Sequence, residues 1–447
     1  MTAAPRLDGL DDTHDPSRRS WVDSAHAPAT DFPLQNLPFG VFRHDYEERP
    51  RVGIAIGDQV LDGLAATRAG CFDELGPVVR DALQSWSLNA LMALGRGDAR
   101  AVRRLASRLL RADTVEGRRA NGLRDVLLVG MDRVSLLVPA EVGDYTDFYA
   151  SVFHASNVGA MFRPDSPLLP NYKWVPIGYH GRASSIVSGG TAVRRPRGQL
   201  RPDPGAPPVF APSGAVDYEL EIGAFVCGEN TLGEPVPIGA AEERLFGLCL
   251  LNDWSARDVQ SWEYQPLGPF LSKNFATTVS PWVVTLDALE PYRVPAFARP
   301  EGDPAPLPYL SDAADAARGG FDITLEVAIR TARMRASGHD AVRLSRASFA
   351  TMYWTMAQLL THHASGGCNL RPGDLLGSGT VSGPGPGEQG CLLELARRGA
   401  NPVVLADGDT RAFLADGDEV IFRGWCARDG AARIGFGECR GEIRAAL

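Results

Sequence analysis

The sequence predicts an α+β fold that is mainly β, with a smaller unit over residues 31–140 and a larger one over 141–447. Three observations carry this. Glycine and proline, 48 and 33 of 447 residues, punctuate the larger unit so often that short strands between turns are favoured over long helices. Runs such as "EVIFRGWCA" and "ARIGFGEC" read as strands between those turns. Strands and helices do not alternate as a βαβ repeat requires.

In chain order, residues 1–30 are polar and rich in Asp, Ser and Arg, which predicts a flexible N-terminal extension. "FGVFRH" and "RVGIAIGDQVLDG" read as short strands, the second folding back at Gly57-Asp58. Within Ala101–Arg111, Val102, Leu105, Leu109 and Leu110 recur at helical spacing opposite a face of arginines. In the larger unit, "LFGLCLLND" is an apolar strand ending at Asp253. One helix stands out, with Ser345 as N-cap, an apolar stripe of Phe349, Met352, Met356, Leu359 and Leu360, and a stop at Gly366-Gly367.

Composition excludes several function classes. Hydrophobic content of 44 % and charged content of 22 % are ordinary for a globular chain. No apolar run approaches the roughly 20 residues of a membrane-spanning helix. The N-terminus carries Asp8, Asp11, Asp12 and Asp15 and no apolar core, so no secretory signal is expected and the cytoplasm is the expected location. A net charge of −9 without a basic run leaves no footprint for nucleic acid. The seven cysteines form no CxxC pair and read as small buried hydrophobes. Of 45 basic residues only Lys173 and Lys273 are lysines. A lysine that persists against such a bias marks a place where a compact ammonium does what a planar guanidinium cannot.

The chemistry-bearing residues begin with carboxylates. In a strand over "VDYELEIGAF", Glu219 and Glu221 share a face about 6.6 Å apart, with Tyr218, Leu220 and Ile222 on the other. Asp253 ends its own strand, and Asp147 in "GDYTDFYA" shares a face with Tyr149 if extended. Were the four to converge, repulsion and desolvation would demand a cation. Oxygen ligands without a His/Cys set suit calcium or magnesium. The residue types fit such a site; the sequence alone does not show that they meet.

Of eight histidines, His14, His26, His44 and His339 read as surface residues, and His362 and His363 as the last turn of the Ser345 helix. His154 and His180 remain as candidate bases. "DWSARDVQSWEY" reads as a helix that aligns Arg257, Gln260 and Tyr264 at i, i+3 and i+7, a donor array for developing negative charge, with Lys273 following. "GSGTVSGPGPGEQG" is either an anion cradle with the Thr380 hydroxyl or a long hairpin connection. No nucleotide loop and no GxSxG elbow is present.

These strings, with "NLPFGVFRHD", "HASNVGAMFR", "PIGYHGRASSI", "LNDWSARDVQSWEYQPLGPFLSKNFATTVSPWVV" and "GCNLRPGDLLGSGTVSG", resemble the fumarylacetoacetase family from about Asp31 to the C-terminus. The resemblance implies a small SH3-like N-terminal barrel followed by a β-roll catalytic domain, and a homodimer. It implies hydrolysis of the carbon–carbon bond of a β-diketo acid to fumarate and acetoacetate, the last step of tyrosine and phenylalanine catabolism. It implies Ca2+ at Asp147, Glu219, Glu221 and Asp253, and Mg2+ near Lys273 and Thr277 with Asp253 shared. It implies His154 as base, oriented by Glu394, and Arg257, Gln260 and Lys273 as stabilisers of the leaving carbanion. Tyr149, Arg163, Tyr179, Tyr264 and Thr380 match substrate contacts. "RPDSPLLP", beside Arg163, and "GPGPGEQG" depart from the family's usual composition. The rival expectations are another enzyme of the superfamily (an acylpyruvate hydrolase, a decarboxylase or an isomerase) and a non-catalytic calcium-binding module.

Overall fold

The computed structural model describes residues 9–45, 47–203, 205–406 and 408–447. Strands outnumber helices and build a mixed α/β architecture that is mainly sheet. The largest sheet has 13 strands, in an order that is an open path among the described residues. The N-terminal hairpin forms as expected: Arg51–Ile56 pairs with Gln59–Asp62, leaving Gly57 and Asp58 as its two-residue turn. Phe39–His44 pairs with Arg51–Ile56 on one side and reaches Trp282–Thr285 through Phe39 opposite Val283. The smaller unit therefore continues the sheet of the larger one. Gly40 permits the junction, because a Cβ there would lie 2.5 Å from the Trp282 ring.

From that junction the sheet runs through Leu245–Asp253, Leu220–Val226, Leu375–Gly377 and Tyr145–Phe148 to Gly178–His180. Leu220, Ile222, Leu248 and Leu250 join a core with Leu325, Val327 and Phe422. Phe225, Cys249 and Leu251 point the other way, into the core that holds Ile54, Val102 and Leu105. A strand covered on both faces is apolar throughout, which accounts for the unbroken run before Asp253. A second sheet of five strands orders Val342–Ser348, Thr324–Arg330, Glu419–Cys426, Ile434–Arg444 and Val193–Arg194. It contains both strands expected near the C-terminus.

Three expectations are corrected. The helix placed at Ser345 begins later, as Met356–Ala364. Ser345 lies in a strand, and Thr355 with Gln358 forms the capping box that starts the helix. Residues 10–30 are not a loose extension. Val22 and Ala25 are buried, Trp21 N donates to Leu110 O and Ser20 Oγ to the same carbonyl; residues 1–8 lie outside the described residues. Arg103, on the arginine face of the helix Arg96–Leu110, is buried. His14 and His44 are buried too, with His14 Nε2 2.7 Å from the Asp287 carbonyl oxygen. All seven cysteines are free and five are buried, in keeping with their reading as small hydrophobes. Among the described residues no helix is long and apolar enough to cross a membrane.

Candidate active site

The four carboxylates are delivered by three separate stretches of backbone. Asp147 sits in Tyr145–Phe148, opposite Gly377 in the parallel pairing with Leu375–Gly377. Glu221 is in Leu220–Val226, pointing away from Leu220 and Ile222, and Glu219 lies just before that strand. Asp253 is the last residue of Leu245–Asp253. All four are buried, and one ligand oxygen from each lies within 4.8 Å of the others. Glycines make room. A Cβ on Gly377 would stand 2.4 Å from Asp147 Oδ1 and 3.0 Å from Glu221 Oε2. Gly379, at φ +75, turns its N–H to both carboxylates, 3.2 Å from Asp147 Oδ1 and 3.0 Å from Glu221 Oε2.

The electrostatics of this pocket are unbalanced. Burial, then the charge of Asp253, pushes Asp147 well above the ordinary carboxylate range. Burial, then Asp147 and Asp253, does the same to Glu221. Burial would raise Glu219 as well, but Lys273 and Arg257 outweigh it and hold that carboxyl low. Lys273 Nζ donates to Glu219 Oε2 and Asp253 Oδ2, both at 2.6 Å. Glu221 Oε1 is buried with no hydrogen-bond partner. An all-oxygen donor set, with repulsion left over and an orphaned carboxylate oxygen, fits a hard divalent cation.

Beside the carboxylates stands an imidazole. Ser151 caps the helix Val152–Phe162, and one turn in, His154 Nδ1 lies 2.6 Å from Glu394 Oε2. Glu394 also accepts from Asn157 Nδ2 at 2.8 Å, Ser382 Oγ at 2.8 Å and Cys391 Sγ at 3.2 Å. Burial would raise the Glu394 carboxyl, yet the facing His154 and these hydrogen bonds hold it low. As a carboxylate it accepts from Nδ1–H, which leaves the lone pair on Nε2. A proton on His154 would help hold the Glu219 carboxyl low, so the pair and the quartet are neighbours. His180 is exposed and stacks edge-on with His363 instead.

Two family models divide the chain between them: "Fumarylacetoacetase N-terminal" matches residues 35–139, and "Fumarylacetoacetate (FAA) hydrolase C-terminal" matches 145–444. The chain belongs to the fumarylacetoacetate hydrolase family. The fumarylacetoacetase of Bos taurus is 49 % identical over 425 residues, covering 94 % of this chain and 98 % of the relative. That of Homo sapiens is 48 % identical over the same length and shares. That of Arabidopsis thaliana is 48 % identical over 414 residues, covering 92 % and 95 %.

In this family member most of the expected site residues converge. Arg257 Nη1 donates to Glu219 Oε1 at 2.7 Å and to Gln260 Oε1 at 3.1 Å. Tyr179 OH donates to Asp253 Oδ2 at 2.6 Å, and Thr277 Oγ1 to Asp253 Oδ1 at 3.2 Å. The Tyr149 ring meets His154 edge-on at 5.2 Å. Arg257 Nη2 and Thr380 Oγ1, like Glu221 Oε1, are buried without a partner. Two residues stand apart. Arg163 is exposed and donates to Pro167 O at 3.2 Å. Tyr264, the C-cap of Arg257–Glu263, is 43 % exposed, so the face it was to share with Arg257 ends at Gln260.

Asn157, Ser382 and Asp217 escaped the sequence reading. The first two are polar residues with no local pattern to mark them. Asp217 had a signal: it stands two residues before Glu219, as Glu219 stands two before Glu221. It is fully buried and pairs with Arg257 Nε at 2.9 Å.

Proposed function

We propose that this chain hydrolyses the carbon–carbon bond of 4-fumarylacetoacetate to fumarate and acetoacetate, the closing step of tyrosine breakdown. One observation carries the reading: four buried carboxylates with an orphaned oxygen lie beside a His154–Glu394 pair. Relatives named for this activity match nearly the whole chain, which supports it. A divalent cation held by Asp147, Glu219, Glu221 and Asp253 would supply Lewis acidity to a diketone oxygen. Ca2+ is our assignment for that quartet. A neighbouring Mg2+ would be held through oxygens such as the Thr277 hydroxyl and shared Asp253, since the Lys273 ammonium has no lone pair to give.

The residues then divide the work. Glu394 fixes the tautomer, and His154 Nε2 takes a proton from water as its oxygen adds to the carbonyl carbon, a role worth about 10²–10⁴-fold. Collapse of the adduct breaks the carbon–carbon bond and expels the acetoacetate part as an enolate, which takes on carbon the proton that His154 removed from water. Lys273 and Arg257 bring fixed positive charge to that enolate, with Gln260 aligning the guanidinium. Thr380 and the free Nη2 of Arg257 are the donors available to substrate oxygens, with Tyr149 and Tyr179 as walls. Arg163 and Tyr264 would reach the substrate only by moving from their exposed positions.

We further read residues 31–140 as an SH3-like domain and 141–447 as a β-roll catalytic domain; the break between the two family matches supports this division. A homodimer is our reading as well, one that could cover exposed large hydrophobics such as Phe210, Leu267 and Phe270. The test is loss of the diketone's ultraviolet absorbance, measured with and without a chelator and after Ca2+ or Mg2+ is restored. Turnover that stops with the chelator and returns with the metal is expected. No turnover of authentic fumarylacetoacetate, but cleavage of an acylpyruvate, would move the chain to another branch of the family. Metal-dependent stability without any turnover would make it a binding module.

A further inference from the structure

The proton-accepting pair and the charge-stabilising arginine come from distant stretches of chain, and one unassigned carboxylate binds both the arginine and the backbone just before Glu394. Asp217 is fully buried and makes four hydrogen bonds. Its Oδ1 accepts from Tyr218 N at 2.9 Å and Leu392 N at 2.8 Å. Its Oδ2 accepts from Leu393 N at 3.0 Å and Arg257 Nε at 2.9 Å. Leu392 and Leu393 open the short helix Leu392–Leu395, whose own N-cap, Cys391, offers no side-chain hydrogen bond. Glu394 is the next residue of that helix. The same carboxylate thus supplies the missing cap under Glu394 and holds the guanidinium of Arg257.

The backbone is built to keep this arrangement. Val216–Asp217 pairs with Ser255–Ala256, Asp217 opposite Ser255, and Arg257 N donates to Ala215 O at 2.9 Å. Leu220 N donates to Gly390 O and Val381 N to Leu220 O, so the stretch after Asp217 is tied to the loop that carries Ser382. With Oδ2 shared between Leu393 N and Arg257 Nε, neither partner shifts without disturbing the other.

We propose that Asp217 is a positioning residue that sets the separation between the His154–Glu394 pair and the Arg257 guanidinium. This deepens the hydrolase reading and rests on it. Asp217 touches no reacting atom; it acts through Glu394 and Arg257. The ammonium of Lys273 is bound to Glu219 and Asp253 and lies outside this link.

The test is Asp217→Asn in the full chain with Ca2+ present, alone and combined with Glu394→Gln. Turnover is expected to fall about 10–100-fold with KM changed by less than about threefold. The double variant should be scarcely slower than Glu394→Gln alone, because both changes break one link. Independently of activity, the amides of Leu392 and Leu393 should lose protection against hydrogen exchange, and the far-downfield imidazole N–H resonance of His154 should broaden or move. Asp217→Ser, which keeps a cap acceptor but withdraws from Arg257, serves if the asparagine variant does not fold. Wild-type turnover in the variant, or losses that simply multiply in the double variant, would overturn the proposal. If the wild-type chain does not hydrolyse the substrate at all, the functional reading fails while the exchange and resonance measurements still decide the structural link.

Discussion

Arg103 in the smaller unit and the carboxylate quartet in the larger one both place charge beyond the reach of water. Arg103 is 1 % exposed, and its guanidinium donates to the Asn36 carbonyl, the Thr13 hydroxyl and the Gln35 carbonyl. Burial lowers it to about 10, so it stays a cation at neutral pH. Its acceptors are neutral, and together they fasten the N-terminal stretch to the helix Arg96–Leu110. The quartet is the reverse case. Like charges face one another, one carboxylate oxygen lacks a partner, and an arginine nitrogen and a threonine hydroxyl nearby are equally unpaired. Satisfied buried charge holds a fold together; unsatisfied buried charge is affordable only where a ligand completes it.

Breaking the second arrangement should cost activity, and breaking the first should cost stability. The largest effect is expected from His154→Ala: turnover falls by about 10²–10⁴-fold while calorimetry finds Ca2+ affinity unchanged. Retained turnover would move the base elsewhere. Lys273→Arg comes next. A planar guanidinium cannot donate to Glu219 and Asp253 from one point as the ammonium does, so steady-state kinetics should show about a 10²-fold loss; near-wild-type rates would refute the point-charge role. Arg103→Met leaves two buried carbonyls without a donor and should cost about 3 kcal/mol in denaturant unfolding, with kcat per folded molecule unchanged.

Two smaller effects sharpen the contrast. In chelator, Glu221→Gln removes one of the repelling charges, so the variant should melt about 2 °C above the wild type, yet gain less on adding Ca2+. An equal gain would show that Glu221 is no ligand. Asp315 is an intermediate case, a part-buried carboxylate that accepts from Thr355 Oγ1 and is raised by burial to about 6. The native state then holds a proton that the unfolded chain releases near 4. Stability should therefore fall as pH rises from about 4 to about 6 and stay at its lower value above. Asp315→Asn should remove that slope, raising the melting temperature by one or two degrees above pH 6 and not below pH 4; a uniform shift at every pH would show that ionisation is not the cause.

Local pattern located much of this molecule. The Gly57-Asp58 hairpin follows from turn chemistry, the strand ending at Asp253 from its apolar run, and the shared face of Glu219 and Glu221 from the period of a strand. Local pattern also misled where a contact from far along the chain outweighs it. Ser345 resembled a cap, but its segment pairs with Thr324–Arg330, and the helix waits for Thr355. Residues 10–30 read as a flexible extension by composition, yet the helix Arg96–Leu110 gives their polar groups partners.

By itself the sequence determined which residues could do the chemistry: carboxylates for a hard cation, an imidazole, one of only two surviving lysines, and the strings shared with a family. Only the tertiary structure decided that Asp147, Glu219, Glu221 and Asp253 meet, that His154 rather than His180 finds a carboxylate, and that Arg163 and Tyr264 stay outside. The reason is physical. Residue type and spacing act over a few positions, whereas the cost of burying a charge depends on what every other segment brings to the same place.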